Sequence, residues 1–132
     1  MATRSRIGIE LKNGSILSVY HHWDGYPEWL GRILKEHYNS RAAASALIDG
    51  GDMSSCWTDE RWDRTEKAEY GPQYYSQRGE DQPPRHDATL LEYLSNGEEY
   101  AYIFNRLGEW ICYDLHGEIA TLTEIPEGAL AV

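Results

Sequence analysis

The segment His21-His22-Trp23-Asp24-Gly25-Tyr26-Pro27 marks the change from a β pattern to a helical pattern, and this change decides the fold. Asp24-Gly25 is a turn-forming pair. Pro27 forces Tyr26 out of the α region and itself suits the first turn of a helix. The segment is therefore predicted to form a corner between a strand and a helix that begins at Pro27.

Upstream of this corner, residues 5–20 are predicted to form a β-hairpin. Apolar residues alternate with small or polar residues from Ile7 to Leu11, which is the period of a half-buried strand, and a second apolar run ends at Val19. Asn13-Gly14 lies between the two runs. This pair favours a type I′ turn, in which both central positions need a positive φ.

Downstream of the corner, apolar residues recur at helical spacing over 27–38, and Ser40 is placed to cap a second helix that Gly50-Gly51 closes. The remaining predicted elements are a loop over 52–57, a strand near 73–77, a third helix capped by Asp87, strands over 100–104 and 110–115, and a further strand within 118–123. These elements predict an α+β fold. In that fold the N-terminal β-hairpin, two short helices, a third helix and a C-terminal antiparallel hairpin form one small sheet packed by helices.

The length of 132 residues predicts a single domain over 1–132. Residues 58–86 offer few apolar anchors and begin with a dense mixture of charges, so they are predicted to be a mobile excursion. The tail from Pro126 is predicted to fray.

The charge and composition exclude several classes of partner. The net charge is −10, and no basic stripe is visible, which argues against direct binding of duplex nucleic acid. No apolar run approaches the roughly 20 residues that span a bilayer, and the first residues do not resemble a signal peptide. We therefore expect a cytoplasmic protein without a membrane partner. Cys56 and Cys112 each stand beside an aromatic residue, which predicts packed thiols rather than a disulfide.

The first candidate binding surface is the corner itself. Its side chains are His21, His22, Trp23, Asp24 and Tyr26. In one interpretation the aromatic residues pack on the helix and Asp24 fixes the turn. In a second, Trp23 and Tyr26 stack on a planar ligand, His21 and His22 donate to its anionic group, and Asp24 orients them. The ten tyrosines and five tryptophans, against one phenylalanine, suit such a half-buried surface.

A third interpretation of the corner is a metal site, with His21 or His22, Asp24 and a distant histidine at position 37, 86 or 116. Adjacent histidines on a strand point to opposite faces. The spacing also matches no standard zinc pattern. We therefore predict no metal and no cofactor.

The second candidate surface lies within Gln73–Glu80, where Tyr74 and Tyr75 precede Arg78. Tyrosine and arginine side chains can stack on a partner and hydrogen-bond to it. The alternative is an edge strand that runs into a turn.

Motifs of common enzymes are not found. The chain has no Gly-x-Ser-x-Gly nucleophile elbow, no phosphate-binding loop, no dinucleotide-binding glycine pattern and no local signature of a nucleophilic cysteine. This favours a binding protein over an enzyme.

Six short blocks of the sequence resemble the corresponding blocks of a known group of proteins. They are Arg6-Ile7-Gly8-Ile9, Gly14-Ser15-Ile16 through Val19-Tyr20, His22-Trp23-Asp24-Gly25-Tyr26-Pro27, Gly31-x-Ile33-Leu34-x-x-His37-Tyr38-Asn39, Arg78-Gly79-Glu80 and Glu99-Tyr100-x-Tyr102-Ile103-Phe104. On these residues the chain resembles a family of small uncharacterised proteins from bacteriophages, including tailed cyanophages, and from some bacteria. The resemblance implies a phage accessory protein that acts in the host cytoplasm, and it implies no functional residue.

The leading hypothesis is a non-enzymatic binding protein that engages a host protein or a small anionic ligand. The binding surface would be the corner, flanked by residues 73–80. One alternative is a small hydrolase that uses His22 and Asp24, with or without a metal. Another is an acidic decoy that mimics nucleic acid and inhibits a host protein. The sequence leaves the oligomeric state open.

Overall fold

A computed structural model of the chain describes residues 3–56, 72–80 and 82–127. The strands are β1 (Ser5–Glu10), β2 (Ile16–His21), β3 (Met53–Cys56), β4 (Pro72–Tyr74), β5 (Arg85–Asp87), β6 (Tyr100–Phe104), β7 (Trp110–Asp114) and β8 (Thr121–Thr123). The helices are α1 (Arg32–His37), α2 (Arg41–Asp49) and α3 (Leu90–Leu94), with a wide π-type turn at Pro27–Gly31 before α1 and a 3₁₀ turn at Tyr75–Arg78. The predicted α+β fold class is confirmed.

All the described strands belong to one mixed sheet. Seven of them follow the order β4-β3-β2-β1-β6-β7-β8. The hairpin β1–β2 lies at the centre, and β1 pairs with β6 in parallel. The other side of β2 is divided: β5 pairs with it at Ile16–Ser18, and β3 pairs with it at His21. The C-terminal strands β6, β7 and β8 are antiparallel neighbours.

The turn of the central hairpin differs from the predicted type. Gly14 has φ +85°, whereas Asn13 does not have a positive φ. The Gly14 N–H donates to the Leu11 carbonyl at 3.0 Å, and the Leu11 N–H donates to the Ser15 carbonyl at 2.8 Å. This is a type I turn followed by one left-handed glycine, which needs a positive φ at one position only. The prediction of a type I′ turn was wrong, although the hairpin itself is confirmed.

One face of the sheet is covered by α1 and α2. The main core lies between this face of the sheet and the two helices. Its fully or almost fully buried residues include Ile7, Ile9, Val19, Leu30, Ile33, Leu34, Leu47, Ile48, Tyr102 and Phe104. The Ser40 hydroxyl accepts from the Ala43 N–H at 3.1 Å, as expected for the cap of α2. Both predicted helices after the corner are therefore confirmed.

The opposite face of the sheet carries α3. Tyr93 of this helix is fully buried, packs with Ile16 and Ile103, and donates its hydroxyl hydrogen to the Tyr102 carbonyl at 2.6 Å. The cap of α3 is Thr89, whose hydroxyl accepts from the Glu92 N–H at 3.2 Å. Asp87 belongs to β5 instead, so its predicted role as a cap was wrong.

Residues 52–57 were predicted to be a loop, and this prediction was wrong for β3. Its four residues are buried, and they pair with both β2 and β4. Met53-Ser54-Ser55-Cys56 has no alternating pattern, so its strand conformation is set by the neighbouring strands rather than by local preference. The predicted strand near 73–77 ends at Tyr74, where the chain turns into the 3₁₀ turn.

Some predictions fall on residues that the structure does not describe. Residues 57–71, which contain most of the charged part of the predicted excursion, lie outside the described residues, as does the end of the tail from residue 128. Cys56 and Cys112 are described, and both are buried free thiols. Within the described ranges, no helix is long and apolar enough to cross a membrane.

Candidate functional site

The corner is bound by hydrogen bonds to two strands and to the residues just before a third. The Trp23 N–H donates to the Ser54 carbonyl at 2.8 Å, and the Gly25 N–H donates to the Thr3 carbonyl at 2.8 Å. The Tyr102 hydroxyl donates to the Gly25 carbonyl at 2.7 Å. Because these partners lie in β3, just before β1 and in β6, the corner is held in one position relative to the sheet.

His21 is fully buried beneath the corner. The Cys56 N–H donates to its Nε2 at 2.9 Å, and its Nδ1 lies 3.3 Å from the Ser5 hydroxyl oxygen. A backbone N–H can only donate, so Nε2 is the acceptor and the ring hydrogen lies on Nδ1. Burial, with a smaller contribution from His22, lowers the pKa of His21 to about 3. His21 is therefore a neutral residue of the core, which corrects its prediction as a ligand donor.

Tyr20, His22 and Trp23 form a row of rings at the surface. The Tyr20 hydroxyl lies 2.6 Å from His22 Nδ1, and the edge of the His22 ring meets Trp23 with centroids 4.7 Å apart. Trp23 is 39% exposed, and the other large apolar side chains that are exposed in the described residues are leucines and an isoleucine. This row offers planar surface of the kind on which a flat ligand stacks.

Asp24 and Tyr26 lie on the helix side of the corner. Asp24 has φ +57°, and among the described residues no other non-glycine residue has a positive φ. Tyr26 is extended, as Pro27 requires, and its carbonyl accepts from the N–H groups of Trp29 and Leu30. Burial, followed by the charges of Asp24 and Glu28, raises the pKa of Tyr26. These two residues therefore shape the start of the helical turn.

The residues of the second candidate surface do not all have the same role in the structure. The Tyr74 hydroxyl donates to the Leu47 carbonyl at 2.6 Å, and a Cβ at Gly50 would overlap the Tyr74 ring. Tyr74 is thus a packing residue that joins β4 to α2, which corrects its prediction as a binding residue. The side chain of Arg78 lies outside the described part of the chain.

Asp52 brings the two candidate surfaces together. Its carboxylate accepts from the Tyr20 N–H at 2.8 Å, and its carbonyl accepts from the Tyr75 N–H at 3.1 Å. Tyr75 is close enough to Tyr20 to raise the pKa of Tyr20, although burial is the larger cause. Tyr75 is therefore the residue of the second candidate surface that lies next to the corner.

Arg6 is the feature that sequence reasoning missed. Its side chain lies on the α3 side of the sheet and is only 7% exposed. Nε donates to the Ser18 hydroxyl at 3.0 Å, and Nη2 donates to the Ser18 carbonyl at 3.2 Å. In the described residues, no carboxylate lies within ion-pair distance of it. Burial and then the charge of Arg85 lower its pKa. In β1, Arg6 alternates with the core residues Ile7 and Ile9. This alternation was the feature of the sequence that could have indicated that Arg6 faces the other side of the sheet.

The carboxylate of Glu98 is near three arginines, one of which, Arg85, also pairs with Asp87 at 3.1 Å. Arg4, Arg6 and Arg85 each lower the pKa of Glu98, while burial is the larger effect and raises it. Glu98 Oε2 is buried without a hydrogen-bond partner in the described residues. The structure thus assembles an Arg6 site, which we define as Arg4, Arg6, Ser18, Tyr20, Arg85 and Glu98.

The histidines named for a metal site do not converge on the corner. His37, His86 and His116 are all exposed. His116 instead bonds Asp114 through Nδ1 at 2.7 Å and faces Glu99 at 3.6 Å, and its pKa is raised mainly by the bond to Asp114. Across residues 3–56, 72–80 and 82–127, no three His, Cys, Asp or Glu side chains are grouped so that they could hold a metal ion.

A groove of about 380 Å³ lies elsewhere, between α1 and the strands β7 and β8. It contains none of the predicted site residues. Lys35, the positively charged residue in its lining, bonds Glu127 at 2.7 Å. Its cation is therefore already paired and is not placed to fix an anionic ligand.

Comparisons of the chain with protein-family models, curated proteins and solved structures found no match. The function is therefore argued from the chemistry of the Arg6 site and the adjoining row of rings.

Proposed function

We propose that the chain is a non-enzymatic binding protein for a small anionic ligand, and that the ligand binds at the Arg6 site. The observation that carries this proposal is a guanidinium only 7% exposed and without a carboxylate partner in the described residues. Burying a charge without a partner costs several kcal/mol. A bound anion would supply the missing counter-charge. A binding site for an anion therefore explains why the chain keeps a buried guanidinium in spite of its cost in folding free energy.

The surroundings of Arg6 suit this role. Arg4 and Arg85 are both exposed, but Arg85 is already paired with Asp87 at 3.1 Å. Arg4 is therefore the residue that can attract an anion from solution, while Arg6 fixes it with directed N–H groups. The chain carries a net charge of −10, and a local group of three arginines is the kind of surface that selects an anion in such a field. Tyr20, with His22 and Trp23 beyond it, adds ring surface for a planar part of the ligand.

The geometry favours binding over hydrolysis. His22 bonds the Tyr20 hydroxyl, and no carboxylate of the described residues bonds its ring. A His–Asp pair that could activate a nucleophile or a water molecule is therefore not formed by His22 and Asp24 in this arrangement. The resemblance to small phage proteins supports an accessory role in the host cytoplasm.

Replacing Arg6 with methionine is the test of the proposed function. Titration of the full chain with benzoate or inorganic phosphate, followed by NMR at constant ionic strength, should show binding that Arg6→Met weakens tenfold or more, since a charge-assisted hydrogen bond contributes roughly 1.5–3 kcal/mol. The free energy of unfolding should change by no more than about 1 kcal/mol, because a costly buried charge is removed together with two hydrogen bonds.

The matched control is Arg41→Met, since Arg41 is an exposed arginine that donates to the Glu10 carbonyl away from the site. It should leave anion binding unchanged. Equal affinities of Arg6→Met and the unmodified chain would contradict the proposal, as would an equal loss in both variants. A host-protein partner would instead be captured from host lysate equally well by Arg6→Met and would be lost in Trp23→Ala.

A further inference from the structure

The unpartnered oxygen of Glu98 adds a requirement to the Arg6 site. Oε2 is buried and makes no hydrogen bond in the described residues, and the Glu98 N–H donates to Asn96 Oδ1 at 2.8 Å, which holds the loop in place. A carboxylate oxygen accepts hydrogen bonds and cannot donate them when ionised. The site therefore presents an acceptor without a donor.

Arg6 presents the complementary deficiency. Its Nε and Nη2 donate to Ser18, whereas its Nη1 makes no hydrogen bond in the described part of the chain and is not among the buried atoms without a partner, so it can donate to a group from solution. Arg6 and Glu98 are close enough for each charge to act on the other, yet they form no ion pair. Arg6 thus has a donor atom left over, and the half-buried Glu98 has a buried acceptor oxygen without a donor, so one group that lies between them and carries both an acceptor and a donor would satisfy both residues.

We infer that the ligand is a zwitterion of the α-amino acid type, with its carboxylate on Arg6 and its ammonium on Glu98. This inference rests on the proposed function and specifies the ligand class of the same site. A simple anion would leave the buried Glu98 oxygen without a donor, and a simple amine would be repelled by the three arginines. An α-amino acid carries both charged groups on one carbon atom, so it can offer an acceptor to Arg6 and a donor to Glu98 at once.

The row of rings indicates the side chain of this amino acid. Tyr20 belongs to the Arg6 site and bonds His22, and His22 contacts Trp23 edge to face. A ligand anchored between Arg6 and Glu98 would extend its side chain along this row. Ring surfaces of this kind favour a flat, aromatic side chain.

The test compares three small molecules that share one ring and differ in their charges. L-phenylalanine carries both charges, 3-phenylpropanoate carries only the carboxylate, and phenethylamine carries only the ammonium. Each is titrated into the full chain at neutral pH and constant ionic strength, with NMR of the backbone amides as the readout. We expect L-phenylalanine to bind at least tenfold more tightly than either analogue.

The variant Glu98→Gln separates the inference from the proposed function. It should weaken the binding of L-phenylalanine about tenfold and leave 3-phenylpropanoate bound equally or more tightly, because the repulsive charge is removed. Glu118→Gln, an exposed residue between β7 and β8, is the control and should change neither affinity. Thermal melting of each variant shows whether it is folded.

Two results would overturn the zwitterion and leave an anion-binding protein. These are equal binding of L-phenylalanine and 3-phenylpropanoate to the unmodified chain, and unchanged binding of L-phenylalanine by Glu98→Gln. No binding of L-phenylalanine up to its solubility limit would also overturn it. Binding of the carboxylates that Arg6→Met does not weaken would overturn the proposed function as well.

Discussion

Replacing His21 with alanine is expected to lower the free energy of unfolding by about 3 kcal/mol. The ring is fully buried, so its removal leaves a cavity in the core. It also leaves the buried Cys56 N–H without the acceptor that it bonds at 2.9 Å, and the Ser5 hydroxyl without its partner. Because Ser5, His21 and Cys56 belong to β1, β2 and β3, this substitution should weaken three strands at once. Equilibrium denaturation in urea measures the change.

The neighbouring His22 is the matched control. It is partly exposed and bonds the Tyr20 hydroxyl, so His22→Ala should cost less than about 1 kcal/mol. Equal losses in the two variants would contradict the burial of His21, rather than His22, in the core.

The same residue should make stability depend on pH in the acid range. The pKa of His21 is about 3 in the folded chain, whereas an unfolded histidine has a pKa near 6.5. Between pH 3 and 6.5 the unfolded state binds a proton that the folded state does not bind. The stabilisation that the neutral His21 ring provides is therefore complete above pH 6.5, and the free energy of unfolding falls by about 1.4 kcal/mol for each pH unit below that, down to about pH 3.

His21→Gln isolates this contribution, because glutamine does not titrate. We expect the difference in the free energy of unfolding between the unmodified chain and the variant to shrink as the pH falls from 6.5 toward 3. A difference that stays constant with pH would mean that His21 titrates normally in the folded chain.

Gly25→Ala is expected to destabilise the chain by a similar amount, about 3 kcal/mol. A Cβ at this position would lie 2.5 Å from the Ser5 hydroxyl oxygen and 2.7 Å from the Thr3 carbonyl oxygen. The corner would have to move away from β1, which would lengthen the bonds of Gly25 to Thr3 and Tyr102. Thermal and urea denaturation, with the intensity of Trp fluorescence as the readout, would measure this.

Gly117→Ala is the control for that experiment. The nearest atoms to a Cβ at Gly117 lie 3.6 Å away, and its φ is not positive. We expect a change within about 0.5 kcal/mol. If Gly25→Ala were equally mild, the close contact of the corner with β1 would be contradicted.

Local patterns were sufficient where the decisive contacts are local. The hairpin, the helices after the corner and the strands β6 and β7 follow from periodicity and turn residues. The strand β3 could not be predicted, because Met53-Ser54-Ser55-Cys56 becomes a strand through pairing with β2 and β4. Asp87 was assigned to a helix for a similar reason, since its pairing with Ile16 is visible only in the fold.

The candidate site shows the same limit. Strand alternation indicates that neighbouring histidines face opposite sides, but it does not say which of His21 and His22 faces the core. The sequence shows no basic stripe, so its arginines did not stand out as a site. The fold brings together Arg4 and Arg6 at the start of β1, Arg85 in β5 and Glu98 in the loop before β6, and no pattern in the sequence encodes that convergence.

The parallel pairing of β1 with β6 has a consequence for how the chain folds. Ser5 is registered with Tyr100, so the central strand needs a partner from the last third of the sequence. The β1–β2 hairpin can form early from local contacts, but one edge of β1 then waits for residues that are synthesised much later. Chains dominated by such distant contacts fold slowly, and an unpaired strand edge invites association with other chains. We expect the nascent protein to be most prone to aggregation during this interval.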